Sequence, residues 1–373
     1  MGLSIEAIRE QPDQHRVEID FNVNGSQHSV YYQTADALLT VNTEALLAIA
    51  LLPCMRGHIP CLVEGSASPR FLAGLQHIQQ VLRSWKPNYT AVEFPNIRME
   101  PRPESDEKRV GVFFSGGVDS FYTFLKHKDE ITDLIFVHGF DIPLKEQSLR
   151  QRMSVSAQRV ADHFGKHLIE VETNVRSFID AYAFWGFAHG SGLASIGHLL
   201  YPHFQRIYIA ASLDAPNQIH WGTHPDLDPH WGTEALEFIH DGVEARRIDK
   251  IGLISQYDIA LQSLRVCLKS PQDFFNCGTC EKCVRTMIGL RAYGALERCP
   301  TFAAPLDNRR VYRMYAPADH LHEAFVRENL EVLDRTGADP ELANALRRTE
   351  QLPRLVKNIL RQVRRLRAKK RER

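Results

Sequence analysis

The sequence predicts an α/β protein built on a parallel sheet, and three observations carry that prediction. Val110, Val112, Phe113 and Phe114 form a short apolar run, the signature of a strand buried on both faces. Ser115, Gly116 and Gly117 break that run, and Phe121, Phe124 and Leu125 follow at helical spacing. Further strand-like runs at 133–138, 166–172 and 206–211 alternate with helical stretches at 146–164 and, in part, 178–204. Such alternation implies a sheet covered on both faces, with ligands at the carboxyl ends of its strands. Gly186 and His189-Gly-Ser-Gly192 are expected to interrupt the last helical stretch.

Ahead of this region the pattern predicts a small α+β module, residues 1–104. Asn24-Gly25 between two strand-like runs marks a hairpin. The stretch 43–55 is rich in Ala and Leu and reads as a helix that Pro53 ends or bends. A strand is expected at 61–64, a helix capped by Ser68-Pro69 with Leu72, Leu75, Ile78, Val81 and Leu82 inward, and a last strand at 89–94. Cys54 and Cys61 read as ordinary buried thiols. A linker rich in Pro and charge, 99–108, then sets a boundary before the α/β domain, 105–305, which a helical basic tail, 306–373, follows.

The 373 residues carry 45 basic and 45 acidic side chains, so no global field points to a nucleic-acid partner. The amino terminus lacks a basic run followed by an apolar block, and the longest apolar stretch, 45–55, is too short to span a bilayer. A cytoplasmic protein is expected, whose seven cysteines stay reduced and favour metal or thiol chemistry.

A strand, a glycine turn and a helix start together form an anion cradle, because backbone N–H groups and the helix dipole converge there. Ser115 and Ser120 add hydroxyl donors. Asp119 repels a bare phosphate, which leaves it either a Mg²⁺ contact or a helix cap. No Gly-Lys-Ser/Thr follows the glycines, which excludes the P-loop of nucleoside triphosphatases. The hexapeptide Ser115, Gly116, Gly117, Val118, Asp119, Ser120 instead resembles the PP-loop of the ATP pyrophosphatase family, which implies ATP cleaved to AMP and pyrophosphate.

Cys267 is followed after nine residues by Cys277, then by Cys280 and Cys283 at three-residue intervals. Four thiolates at this spacing satisfy a tetrahedral Zn²⁺, with an iron–sulfur cluster or a persulfide-bearing pair as competitors. Gly278 permits a tight knuckle, and Val284, Met287, Ile288 and Leu290 suggest a helix that packs the site. A PP-loop followed by such a quartet resembles the 7-cyano-7-deazaguanine synthase family and its relatives over about 109–294. That resemblance implies zinc on the quartet. It also matches Asp249-Lys250-Ile251 to a family lysine segment and His224-Pro225-Asp226 to a substrate loop.

Asp214, at a strand end, together with His224 and Asp226, is the expected substrate-binding set, within a stretch of acids and histidines, 214–241, that reads as a pocket-lining loop. Phe140 either stacks on adenine or packs. Helices are expected at 339–351 and 353–367. From Arg354 onward the tail holds ten Lys or Arg and one acid, a surface for RNA or an anionic membrane, or a solvated helix end. The resulting expectation is an ATP-dependent carbon–nitrogen ligase that adenylates a small-molecule carboxylate, with Asp119 at the phosphate loop, Lys250 near the phosphates or the adenylate, and ATP, Mg²⁺ and Zn²⁺ as cofactors. By analogy it forms a homodimer. The alternatives are a tRNA sulfurtransferase using Cys299 and a non-catalytic adenine-nucleotide-binding module.

Overall fold

In the computed structural model, residues 2–103, 108–271, 273–308, 311, 320–352 and 356 are described. The chain divides into two compact units. One comprises Met1–Ser115, Lys126–Ala211 and Gln218–Val243; the other comprises Gly116–Leu125, Ser212–Asn217 and Glu244–Arg373.

The first unit is built on one eight-stranded sheet. Its strands are β1 (Leu3–Gln11), β2 (Arg16–Val23), β3 (Ser26–Gln33), β6 (Arg109–Phe113), β7 (Asp133–His138), β8 (His167–Thr173), β9 (Phe204–Ala210) and β10 (Glu237–Asp241). Two short strands, β4 (Gly65–Ala67) and β5 (Ile97–Met99), pair separately. Along the large sheet the order is β1-β2-β3-β8-β7-β6-β9-β10. The last five run parallel, as the alternating pattern requires, while β3 joins β8 antiparallel through Tyr32–Thr173 and Gln33–Glu172. The residues expected to form a module at 1–104 therefore supply three strands to the same sheet as the 105–305 stretch. From β6 the chain proceeds outward to β7 and β8, then returns to β9 on the other side. The order thus reverses between β6 and β9, and a doubly wound sheet binds ligands at the carboxyl ends flanking such a switch point.

The helices of this unit are α1 (Thr43–Gly57), α2 (Pro69–Trp85), α4 (Gln147–Phe164), α5 (Val175–Tyr182) and α6 (Trp185–Leu199). Between β6 and β7 the chain forms α3 (Val118–Lys126). Every residue of α1 from Thr43 to Met55 is buried, which explains its unbroken Ala/Leu composition. Asn42 accepts from the Ala45 N–H as its cap, and the helix runs through Pro53 to Gly57. Pro53 removes one bond near the end of the helix, too late to stop it. Ser68 caps α2 as expected, but its buried line is Phe71, Leu75, Ile78 and Leu82, with Leu72 and Val81 only half-buried.

Other local expectations shift. Residues 61–64 form no strand beyond a bridge between Cys61 and Leu3, and 89–94 is irregular. Helix α6 continues through His189-Gly-Ser-Gly192 because those glycines serve close packing. A Cβ on Gly190 would lie 2.1 Å from the Gly222 carbonyl oxygen. The stretch 214–241 ends in β10, so His240 and Asp241 lie on a strand.

The second unit is helical: α7 (Arg247–Ile254), α8 (Asp258–Ser263), α9 (Glu281–Ala292), and further helices at His320–Thr336 and Pro340–Glu350. Its core joins Val284, Met287 and Ile288 to Val326, Leu333, Leu342 and Leu346. Asp339 caps the Pro340–Glu350 helix by accepting from the Leu342 N–H at 2.9 Å. The expected second tail helix, 353–367, apart from Val356, and the basic end lie outside the described residues. Among the described residues no helix is long and apolar enough to cross a membrane.

Candidate functional site

The glycine turn lies where β6 ends. Gly116 adopts φ 71°, and its carbonyl accepts from the Arg265 N–H at 2.8 Å. The Gly117 carbonyl accepts from the Phe121 N–H at 3.0 Å and the Ser120 hydroxyl at 3.2 Å, which closes the first turn of α3. Residues 116–120 and Lys250, far apart in sequence, belong to the same unit. Both carboxylate oxygens of Asp119 accept from Arg247 Nη1, at 3.1 and 2.9 Å, and Lys250 Nζ lies 3.6 Å from Asp119 Oδ1. Lys250 is 1% exposed and also stands 5.7 Å from the Tyr122 ring centroid. Arg247 is absent from the sequence expectation. Its signal is the three-residue spacing from Lys250, which puts both cations on one face of α7.

Asp214 belongs to this unit too, is buried, and accepts from the Asn217 side-chain amide at 2.8 Å. Glu328, another residue the sequence does not single out, accepts from the Ile248 N–H at 3.4 Å. Burial pushes its carboxyl up to about 7; the Ile248 N–H opposes this shift and the charge of Asp214 adds to it.

The four expected cysteines come together, their sulfurs all within 4.8 Å of one another, as a cluster that could hold a metal ion such as zinc. Cys267–Cys280 and Cys277–Cys283 are 3.8 Å apart and Cys280–Cys283 3.4 Å. A tetrahedral ion with Zn–S of about 2.3 Å needs sulfurs about 3.8 Å apart, so the quartet fits. Hydrogen bonds from Cys280 and Cys283 hold the Cys267 thiol far below the ordinary range, while its bonds to Cys267 push Cys283 far up. Sulfurs this close ionise together only around a cation. Backbone N–H groups of Lys269, Thr279 and Cys280 point at the sulfurs of Cys267 and Cys277 at 3.3–3.4 Å, as thiolate ligands require. Gly278 has φ 68°, and a Cβ there would meet the Ala304 carbonyl oxygen at 2.3 Å, so only glycine forms this knuckle. Helix α9 follows and buries Cys283 with Val284, Met287 and Ile288.

His224 and Asp226 lie in the first unit. The Asp226 N–H donates to His224 Nδ1 at 3.1 Å, leaving the proton of that ring on Nε2. Nearby in sequence, the wholly buried Asp228 pairs with His240 Nδ1 at 2.6 Å, and His240 Nε2 is buried without a hydrogen-bond partner. Phe140 packs edge-on against Trp185, centroids 4.7 Å apart, which favours the packing role. Cys54, Cys61 and Cys299 are buried thiols.

Compared with known proteins, the chain matches no family model, no curated protein and no solved structure.

Proposed function

We propose that this protein is an ATP-dependent ligase of the PP-loop type, which adenylates a small-molecule carboxylate and passes it to ammonia or an amine. The observation that carries this reading is the gathering of Gly116, Gly117, Ser120, Asp119, Arg247 and Lys250 around the start of α3. Backbone donors, a helix N-terminus and two cations suit a polyphosphate, and a hard carboxylate suits the Mg²⁺ that accompanies it. When bound, Mg²⁺ supplies neutralising charge to the leaving pyrophosphate. A carboxylate oxygen of the substrate attacks the α-phosphorus, the α–β bond breaks, and pyrophosphate leaves with its charge held by Lys250, Arg247 and the loop N–H groups. The amine nitrogen then attacks the acyl carbon, AMP departs, and the nitrogen loses a proton.

The cysteine quartet carries a structural zinc, since four sulfurs fill a tetrahedral shell and leave no open position for substrate. The similarity of His224-Pro225-Asp226 to a deazaguanine substrate loop supports a heterocyclic acid as substrate. A sulfurtransferase needs a reactive thiol outside the quartet. Burial pushes the Cys299 thiol up, and the thiol donates to the Leu261 carbonyl, both of which disfavour that role.

Incubation of the protein with Mg·ATP, ammonium and a panel of ¹⁸O-labelled carboxylic acids tests the reading. AMP, pyrophosphate and one label in the AMP phosphate are expected. ADP and phosphate, or unlabelled AMP formed with a competent acid, rule out the acyl-adenylate route.

A further inference from the structure

The cradle at the start of α3 contains its own anion. Asp119 lies in the first turn of the helix, where the dipole and backbone donors attract negative charge. Both of its carboxylate oxygens are engaged by Arg247, and Lys250 stands beside them at 3.6 Å. The Arg247 side chain is only 10% exposed, and its buried Nε has no hydrogen-bond partner. A phosphate arriving here meets cations already neutralised by a tethered carboxylate, a competitor whose effective concentration far exceeds that of a free anion.

We propose that Asp119 is a displaceable counter-ion that couples anion binding to divalent-cation binding. Asp119 holds Arg247 and Lys250 in the resting protein. When its oxygens turn to a divalent cation, the Arg247 guanidinium is released to phosphate oxygens, because a hard cation takes one or two carboxylates together with phosphates as ligands. Arg247 is then an anion-binding residue, held in place by the carboxylate it later releases. Metal-free nucleotide and inorganic phosphate are refused, since neither brings a cation to take Asp119. The inference rests on reading this loop as a phosphate site and adds its regulation.

Inorganic pyrophosphate is the probe, titrated calorimetrically into the full-length protein with EDTA or with MgCl₂, alongside Asp119→Asn and Arg247→Gln. Wild type should bind at least about tenfold more tightly with Mg²⁺ than without. Asp119→Asn should bind metal-free pyrophosphate at least about tenfold more tightly than wild type and gain little from Mg²⁺. Arg247→Gln should weaken Mg·pyrophosphate binding while keeping its Mg²⁺ requirement, which guards against a misfolded Asp119→Asn; circular dichroism checks both variants. Mg²⁺-dependent binding by wild type with no gain in metal-free binding by a folded Asp119→Asn overturns the counter-ion role alone. The same holds if wild type binds metal-free pyrophosphate as tightly as Mg·pyrophosphate. Absence of pyrophosphate binding by every protein in both conditions overturns the phosphate-site reading, and this inference with it.

Discussion

Glu328 shows what burial does to one side chain. Its carboxyl ionises at about 7 instead of the ordinary 4.5, chiefly because desolvation penalises the charge. A raised carboxyl favours the fold fully below the unfolded value of 4.5, and this contribution is lost as pH rises through about 7. The difference corresponds to at most about 3 kcal/mol. Glu328→Gln keeps an acceptor for the Ile248 N–H without the charge. The variant should match wild type at pH 4–5 and exceed it in denaturant unfolding by up to about 3 kcal/mol at pH 8. An unchanged difference across that range would show that Glu328 ionises normally. Nothing in the local sequence marks Glu328, since its environment comes from chain 80 residues away. The cysteines are the opposite case, their spacing alone bringing three of four sulfurs within reach.

Among the elements, α6 is where short-range reading and packing disagree. Glycines lower helix propensity by about 1 kcal/mol each, so the His189-Gly-Ser-Gly192 run reads as an interruption. In the fold Gly190 lets the chain at Gly222 approach closely enough that a Cβ would sit 2.1 Å from a carbonyl oxygen. That obstacle is backbone and cannot rotate away, so the clash outweighs the gain in propensity. Gly190→Ala should destabilise by about 1–3 kcal/mol, read as a lowered midpoint in thermal melts. A melt at or above the wild-type temperature would refute the close approach. Strand β1 eludes pattern reading for a related reason: among its nine residues only Leu3 is buried, so no alternation appears. The α3 start, by contrast, is legible because strand, glycine turn and helix follow one another directly in sequence.

For the whole molecule, the division into two units makes a measurable claim. All four tryptophans, Trp85, Trp185, Trp221 and Trp231, lie in the first unit, while the cysteine quartet and the core around Cys267 and Cys283 lie in the second. Metal bound by such a quartet contributes folding energy directly. Removal of metal with a strong chelator should lower the far-ultraviolet circular dichroism midpoint by about 10 °C or more, with the tryptophan fluorescence midpoint nearly unchanged. Equal shifts by both probes would show that the units unfold as one. Elemental analysis should give about one zinc per chain. A folded protein without metal, or with stoichiometric iron, would overturn the zinc assignment.

The parallel α/β class, the strand–glycine–helix turn at 115–120 and the sulfur quartet are legible before folding, because each depends on residues close together in the chain. The fold alone reveals that β1–β3 extend the same sheet, through a two-residue pairing of β3 with β8. It also reveals that Asp119 faces Arg247 and Lys250, and that a glutamate from the His320–Thr336 helix is buried against the start of α7. Asp119 and Arg247 are 128 residues apart, and no local periodicity encodes which side chains meet across such a separation. That pairing is set by the path of the chain through the sheet and by the packing of whole helices, where burial and charge act together.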